Sequence, residues 1–164
     1  MIRTAQELEN LAYAVNAGSM TFKLANDIDL GKVADGQSNH TAIEYFSGTF
    51  DGDGHIIDNL TISSDENNQG LFGILSDGGT VKNVRLTNAK ISGGINVGGI
   101  AGSVGADGCA VENCSVEGDI SGIQNVGGVV GFSKGTVKNC SHIGAVSVSF
   151  TSAGGIAGMI DGGS

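Results

Sequence analysis

The side chains able to do chemistry in this chain are a set of carboxylates, three cysteines and three histidines. Asp51-Gly52-Asp53-Gly54-His55 places two carboxylates in a tight turn, and Asp27 with Asp29 forms a second pair. A hard cation such as calcium takes several oxygens from loops of this kind. Paired carboxylates are also what glycoside cleavage requires, and Asp58 belongs to the same pool. Each reading meets an obstacle. A twelve-residue calcium loop ends in Glu, whereas the twelfth residue counted from Asp51 is Ile62. Aromatic rings that stack on sugars are scarce, with Tyr 2 and Trp 0. Turn formation alone calls for Asp and Gly. We therefore assign no residue as catalytic, cofactor-binding or metal-ligating, and expect no cofactor.

Cys109, Cys114 and Cys140 lack the spacing of a zinc site. Cys114 and Cys140 occupy equivalent places in a repeat, which would stack them near disulfide distance. Small buried hydrophobes filling equivalent slots is the simpler role. Cys109 follows the turn-like Gly105–Gly108 and is expected at the surface. His142 falls where other copies carry Val116 or Leu86, so a strand slip is expected to seat Ile143 inside and His142 outside. Thr61, Thr80, Thr87 and Thr136 do not repeat as the Thr-x-Thr of an ice-binding face. Asn39, Asn59, Asn113 and Asn139 head Asn-x-Ser/Thr triplets, but a stacked corner leaves no room for a glycan.

Net charge is -9, from Lys+Arg 8 against Asp+Glu 17, which argues against nucleic acid as a partner. Hydrophobic content of 40% with 15% charged residues belongs to an ordered chain despite Gly 29. Pro 0 suits ladders in which every N–H is needed. No stretch reaches the ~20 apolar residues of a membrane span, and Arg3, Glu7 and Glu9 interrupt any signal-like run at the start.

What must position these groups is a repeat. Val97-Gly98-Gly99-Ile100-Ala101-Gly102 returns at Val126–Gly131 and at Ala153–Gly158, with a degenerate copy at Gly70-Leu71-Phe72-Gly73. The closing glycines are 29, 29 and 27 residues apart, the mark of a stacked architecture. Four segments align as aliphatic-x-Asn-x: those headed by Ile57, Val81, Val111 and Val137. Asn59, Asn83, Asn113 and Asn139 are thereby expected at one corner, as an amide ladder. Ile91, Ile120 and Val146 make a further inward row, as do Leu71, Ile100, Val129 and Ile156. About 28 residues per turn and three short strands per repeat predict a parallel β-helix with rungs ~4.8 Å apart. Upstream, Thr4 to Ala17 reads as a helix. Thr4 caps it, Glu7 completes a capping box, and Leu8, Leu11, Tyr13 and Val15 face inward over the open end. Phe22 to Leu30 reads as a strand, and Gly31 to Thr41 as a polar loop.

Gly98 to Gly122 and Gly127 to Ser147 resemble the GLUG-motif family, whose repeats run Gly-Gly-aliphatic-x-Gly, then aliphatic-x-Asn-Cys, then Gly-x-aliphatic-x-Gly. Phe50 to Leu60 and Leu24 to Leu30 are similar to the segments preceding such repeats. The resemblance implies large secreted or surface-attached bacterial proteins, among them adhesins and the non-catalytic parts of immunoglobulin A peptidases. The expectation is an all-β, parallel β-solenoid of four to five rungs with an N-terminal capping helix, one domain over residues 1–164. Residues 1–18 form the cap, 19–69 the opening rungs, and 70–164 the repeats, the last incomplete in a piece of a longer protein. The expected role is a non-enzymatic stalk or binding surface, with host glycans, extracellular proteins or flanking repeats as partners. The alternatives are an accessory domain of a secreted peptidase or carbohydrate-active enzyme, and a polysaccharide-cleaving β-helix.

Overall fold

A computed structural model describes residues 1–13, 18 and 20–162. Every strand pairing in it is parallel, and the chain winds through three sheets that share one interior. The five-stranded sheet stacks Thr21–Lys23, Thr49–Asp51, Thr80–Lys82, Ala110–Glu112 and Thr136–Lys138. The four-stranded sheet stacks Phe72–Leu75, Ala101–Val104, Val130–Ser133 and Ala157–Ile160. The third is eight-stranded and includes the long strands Arg85–Ser92, Ser115–Gly127 and Val146–Gly154. The predicted β-solenoid is the architecture found.

Alternation within each strand sends one residue inward and its neighbours out, and the parallel register turns these into rows. Inside, Phe50, Val81 and Val111 stack and are fully buried, and Ile62, Ile91 and Ile120 stack on the eight-stranded face. Each aliphatic side chain so buried contributes ~1.5–3 kcal/mol. Four phenylalanines thicken the first rungs, with Phe46 and Phe72 rings 4.8 Å apart and Phe50 edge-on to Phe72 at 5.3 Å.

Outside, the five-stranded sheet carries two informative rows. Lys23, Asp51, Lys82, Glu112 and Lys138 are in register, so charge alternates at every rung. Thr21, Thr49 and Thr80 stack beside them, but Ala110 interrupts the row before Thr136. The neighbouring row is charged rather than Thr, so no Thr-x-Thr face forms.

Two corners carry ladders of left-handed asparagines. Asn83, Asn113 and Asn139 all have positive φ, and each lower amide donates to the Oδ1 above it, at 3.4 and 3.2 Å. Asn59 does not belong to this ladder. Ile57 pairs with Leu86 and Thr61 with Lys90, which puts Asn59 over Asn88 and Leu60 over Ala89. The slot above Val81 belongs to Phe50 instead, a full turn of 31 residues upstream, whereas Ile57 lies 24 residues before Val81. A second ladder runs along the opposite corner. Asn96 donates to Asn68 at 3.0 Å and Asn125 to Asn96 at 2.9 Å, all three left-handed. Between these corners the chains approach closely at Gly102, where a Cβ would sit 2.5 Å from the Asn68 carbonyl carbon and 2.7 Å from the Asn96 oxygen. That crowding is why the repeat demands glycine there.

The N-terminal cap begins as an α-helix and tightens after Asn10. An α-helix covers Ala5–Asn10 and a 3-10 turn Leu11–Tyr13, while residues 14–17 of the expected helix, Val15 among them, lie outside the described residues. Thr4 Oγ1 accepts from Glu7 N at 3.1 Å, but the Glu7 carboxylate reaches the Arg3 amide, one residue before the box position. Leu8 and Leu11 are buried and close the end of the core; Tyr13 is 75% exposed and takes no part in that face. Phe22 to Leu30 splits into Thr21–Lys23 and Ile28–Asp29 because the turn between them passes a corner.

Candidate functional site

The carboxylates singled out above lie along the first corners, and the structure commits their oxygens to the fold. Asp27 Oδ1 accepts from the Ile56 amide at 2.9 Å and lies 3.2 Å from His55 Nδ1. The Ile56 amide, with His55, holds the Asp27 carboxyl below its usual range. Asp29 Oδ1 accepts from the Asn59 side chain and from Gly31 N, both at 2.8 Å, and its pKa is lowered by the Asn59 and Gly31 bonds in that order. Asp51 Oδ1 accepts from Asp53 N and Asn83 Nδ2 at 2.9 Å each, heading the first asparagine ladder. Partial burial pushes the Asp51 carboxyl up, but the Asn83 amide, the Asp53 N–H and the lysines on either side outweigh it and leave it lowered. Asp58 Oδ1 accepts from Thr87 Oγ1 and Asn88 Nδ2 at 2.8 Å. Asp53 faces Lys23 at 3.4 Å in the open, a pair worth little in stability. These acids are rung connectors. Among the described residues no three His, Cys, Asp or Glu side chains come together as a metal site.

Cys109 and His142 lie elsewhere than the sequence suggests, while Cys114 and Cys140 stack as expected. Cys109 is fully buried, because its carbonyl accepts from Thr136 N and the turn folds the side chain into the core. Cys114 and Cys140 are direct neighbours on adjacent rungs, and all three thiols are free. The neighbouring Cys140 and burial push the Cys114 thiol up, while the bond from Cys114 brings Cys140 down to about 7. His142, not Ile143, takes the slot below Val116. Its Nε2 lies 2.8 Å from the Gly118 carbonyl, and Ile143 is 73% exposed. The regular register wins over hydrophobicity here because the imidazole finds a backbone partner.

The sequence reading missed a groove on the eight-stranded face. Residues 31–38 carry no strand, and Asn39 and Ser38 hold them across that face. Asn39 Nδ2 donates to Gly31 O at 2.7 Å and Asn59 O at 2.6 Å, its Oδ1 accepts from Thr61 N, and Ser38 Oγ accepts from Ser63 N. The result is a groove of about 360 Å³ between that segment and the sheet. Its floor is two in-register outward rows, Thr61–Lys90–Asp119 and Ser63–Ser92–Ser121. Lys90 reaches Asp35 on the facing wall at 3.3 Å. The stacked serines were visible in the sequence; the segment returning over them was not.

Comparison with known proteins fits this geometry. Residues 93–121 match the family model described as the GLUG motif. The chain is 36% identical over 142 residues to Halomucin of Haloquadratum walsbyi, an alignment covering 79% of this chain and 2% of that protein. It is also similar to a crystal structure of a candidate immunoglobulin A1 protease from Bacteroides ovatus. That match has a TM-score of 0.74 and 25% identity, and covers 98% of this chain and 61% of the other. The chain thus spans a small part of one relative and under two thirds of the other. With the repeat, the corner asparagines and the stacked rungs in agreement, this chain is a β-solenoid that carries the GLUG motif over residues 93–121.

Proposed function

We propose that this chain is a non-catalytic module of a surface or secreted protein, acting as spacer and binding surface. The observation that carries this reading is the engagement of the carboxylates. Asp27, Asp29, Asp51 and Asp58 each accept two or more hydrogen bonds from corner groups, so none is poised as an acid, base or nucleophile. A long, rigid stack of rungs whose outer faces are free to vary suits display and reach. The test is direct. Purified chain incubated with immunoglobulin A1 and with a panel of polysaccharides should leave every substrate intact by electrophoresis and product chromatography. Cleavage that disappears in Asp51→Asn or Asp53→Asn would overturn the reading. A second reading, an accessory part of a secreted peptidase, is favoured by likeness to the Bacteroides ovatus protein. A protease motif elsewhere in the same polypeptide would support it over an adhesive role.

A further inference from the structure

The groove beneath residues 31–38 differs in kind from the rest of the surface. It is pre-formed, because Asn39 and Ser38 fix the overlying segment to the sheet without any ligand. Its volume of about 360 Å³ lies at the small end of ligand sites. It is electrically balanced in a strongly acidic chain: Lys32 and Lys90 are set against Asp35 and Asp119. A free cation would find each acid matched by a lysine, and a polyanion would find each lysine matched by an acid.

What remains is a line of groups that both donate and accept. Ser63, Ser92 and Ser121 recur at successive rungs, ~4.8 Å apart. The Ser63 and Ser121 hydroxyls make no hydrogen bond among the described residues. Asn88 and the polar ends of Lys90 and Asp119 flank them, and Val33 supplies an apolar edge on the wall. A ligand complementary to this lining is uncharged, elongated and rich in hydroxyls that donate and accept in turn. A peptide strand fits less well, since the floor presents side chains from paired strands and no open backbone edge. We propose that this groove binds a short neutral oligosaccharide, laid along the serine row with its hydroxyls on Ser63, Ser92 and Ser121. This rests on the reading of the chain as a non-catalytic binding module and names the ligand class for one of its faces.

The test uses the whole chain on a printed array of neutral, sulfated and sialylated oligosaccharides, followed by isothermal titration with the strongest neutral binder. Ser92→Phe and Ser121→Phe fill the groove from half-buried sheet positions, and unchanged thermal melting confirms that both variants fold. The expected result is binding of a neutral glycan that weakens at least about tenfold in both variants, roughly 1.4 kcal/mol. It should also change little between low and high salt. Binding confined to sulfated or sialylated glycans, or none at all, overturns the proposal. Neutral-glycan binding that survives both variants also overturns the groove, but leaves the module reading standing. Hydrolysis of the bound glycan would instead overturn the module reading.

Discussion

Asn125 offers a single-residue test of how the rungs are held together. Its Nδ2 donates to Asn96, but its Oδ1 is buried and has no partner, in a residue only 6% exposed. The cause is the next rung. Gln124 pairs with Thr151 and Val126 with Ala153, so the position below Asn125 is Ser152, where the ladder should continue with an amide. Ser152 nonetheless keeps the left-handed backbone of the corner, with φ 65. Ser152→Asn should restore the donor and place a residue that tolerates this conformation better than serine. An unsatisfied buried acceptor costs about 1–3 kcal/mol, and a neutral hydrogen bond returns about 1 kcal/mol net. We expect a stabilisation of about 1–2 kcal/mol. For a chain of this size that raises Tm by about 2–8 °C. Urea denaturation should show a higher midpoint with unchanged slope, and amide exchange in the 146–154 strand should slow. A midpoint equal to or below that of the parent chain would refute the ladder argument, because the backbone conformation and the acceptor both favour asparagine.

Other perturbations follow from the same structure. His40 is buried with Nε2 3.0 Å from Leu71 O, and burial lowers its pKa. The unfolded imidazole therefore takes its proton first, so stability should be full above pH ~6.5 and decline as pH falls below it, a decline that His40→Gln flattens in pH-dependent melts. Cys140, with a pKa of about 7, should be alkylated by iodoacetamide well before Cys109 or Cys114, at a rate that rises through neutral pH when followed by peptide mass mapping. Lys82→Glu would set three like charges in consecutive rungs of the Asp51–Lys82–Glu112 row, lowering stability by about 1 kcal/mol in low salt and less in high salt. Gly102→Ala drives a methyl into the Asn68 backbone and should cost several kcal/mol, seen as a large fall in urea midpoint or loss of soluble protein.

Much of the solenoid was legible because its rows recur at a near-constant period. Leu71, Ile100, Val129 and Ile156 recur as one aliphatic row, and Ile100 donates to Val129 and Val129 to Ile156 along the stack. The misplacement of Asn59 shows the limit. Ile57-Asp58-Asn59-Leu60 has the same local pattern as Val81-Lys82-Asn83-Val84, and both corners need a left-handed residue. Local pattern cannot tell one corner from another when a single turn holds several left-handed asparagines, as Asn59 and Asn68 do. The Asn68–Asn96–Asn125 ladder did carry a signal, since these residues recur at intervals of 28 and 29, just ahead of the glycine motif. The alternating row from Lys23 to Lys138 was equally readable once the register was known. Other features were tertiary. Cys109 sits among turn residues that suggest exposure, yet the turn folds inward over the core. The groove depends on Asn39 and Ser38 anchoring a strandless segment over a face formed by later rungs, and no local pattern encodes that return.

The corner carboxylates are structural acceptors, and their titration tests this most directly. Carbon-detected NMR can follow the Asp27, Asp29 and Asp51 side chains from pH 7 downward, with and without millimolar calcium. All three should titrate below the ordinary aspartate value of about 3.9, unchanged by calcium. Titration at or above that value, or calcium-dependent shifts centred on Asp51, would contradict it.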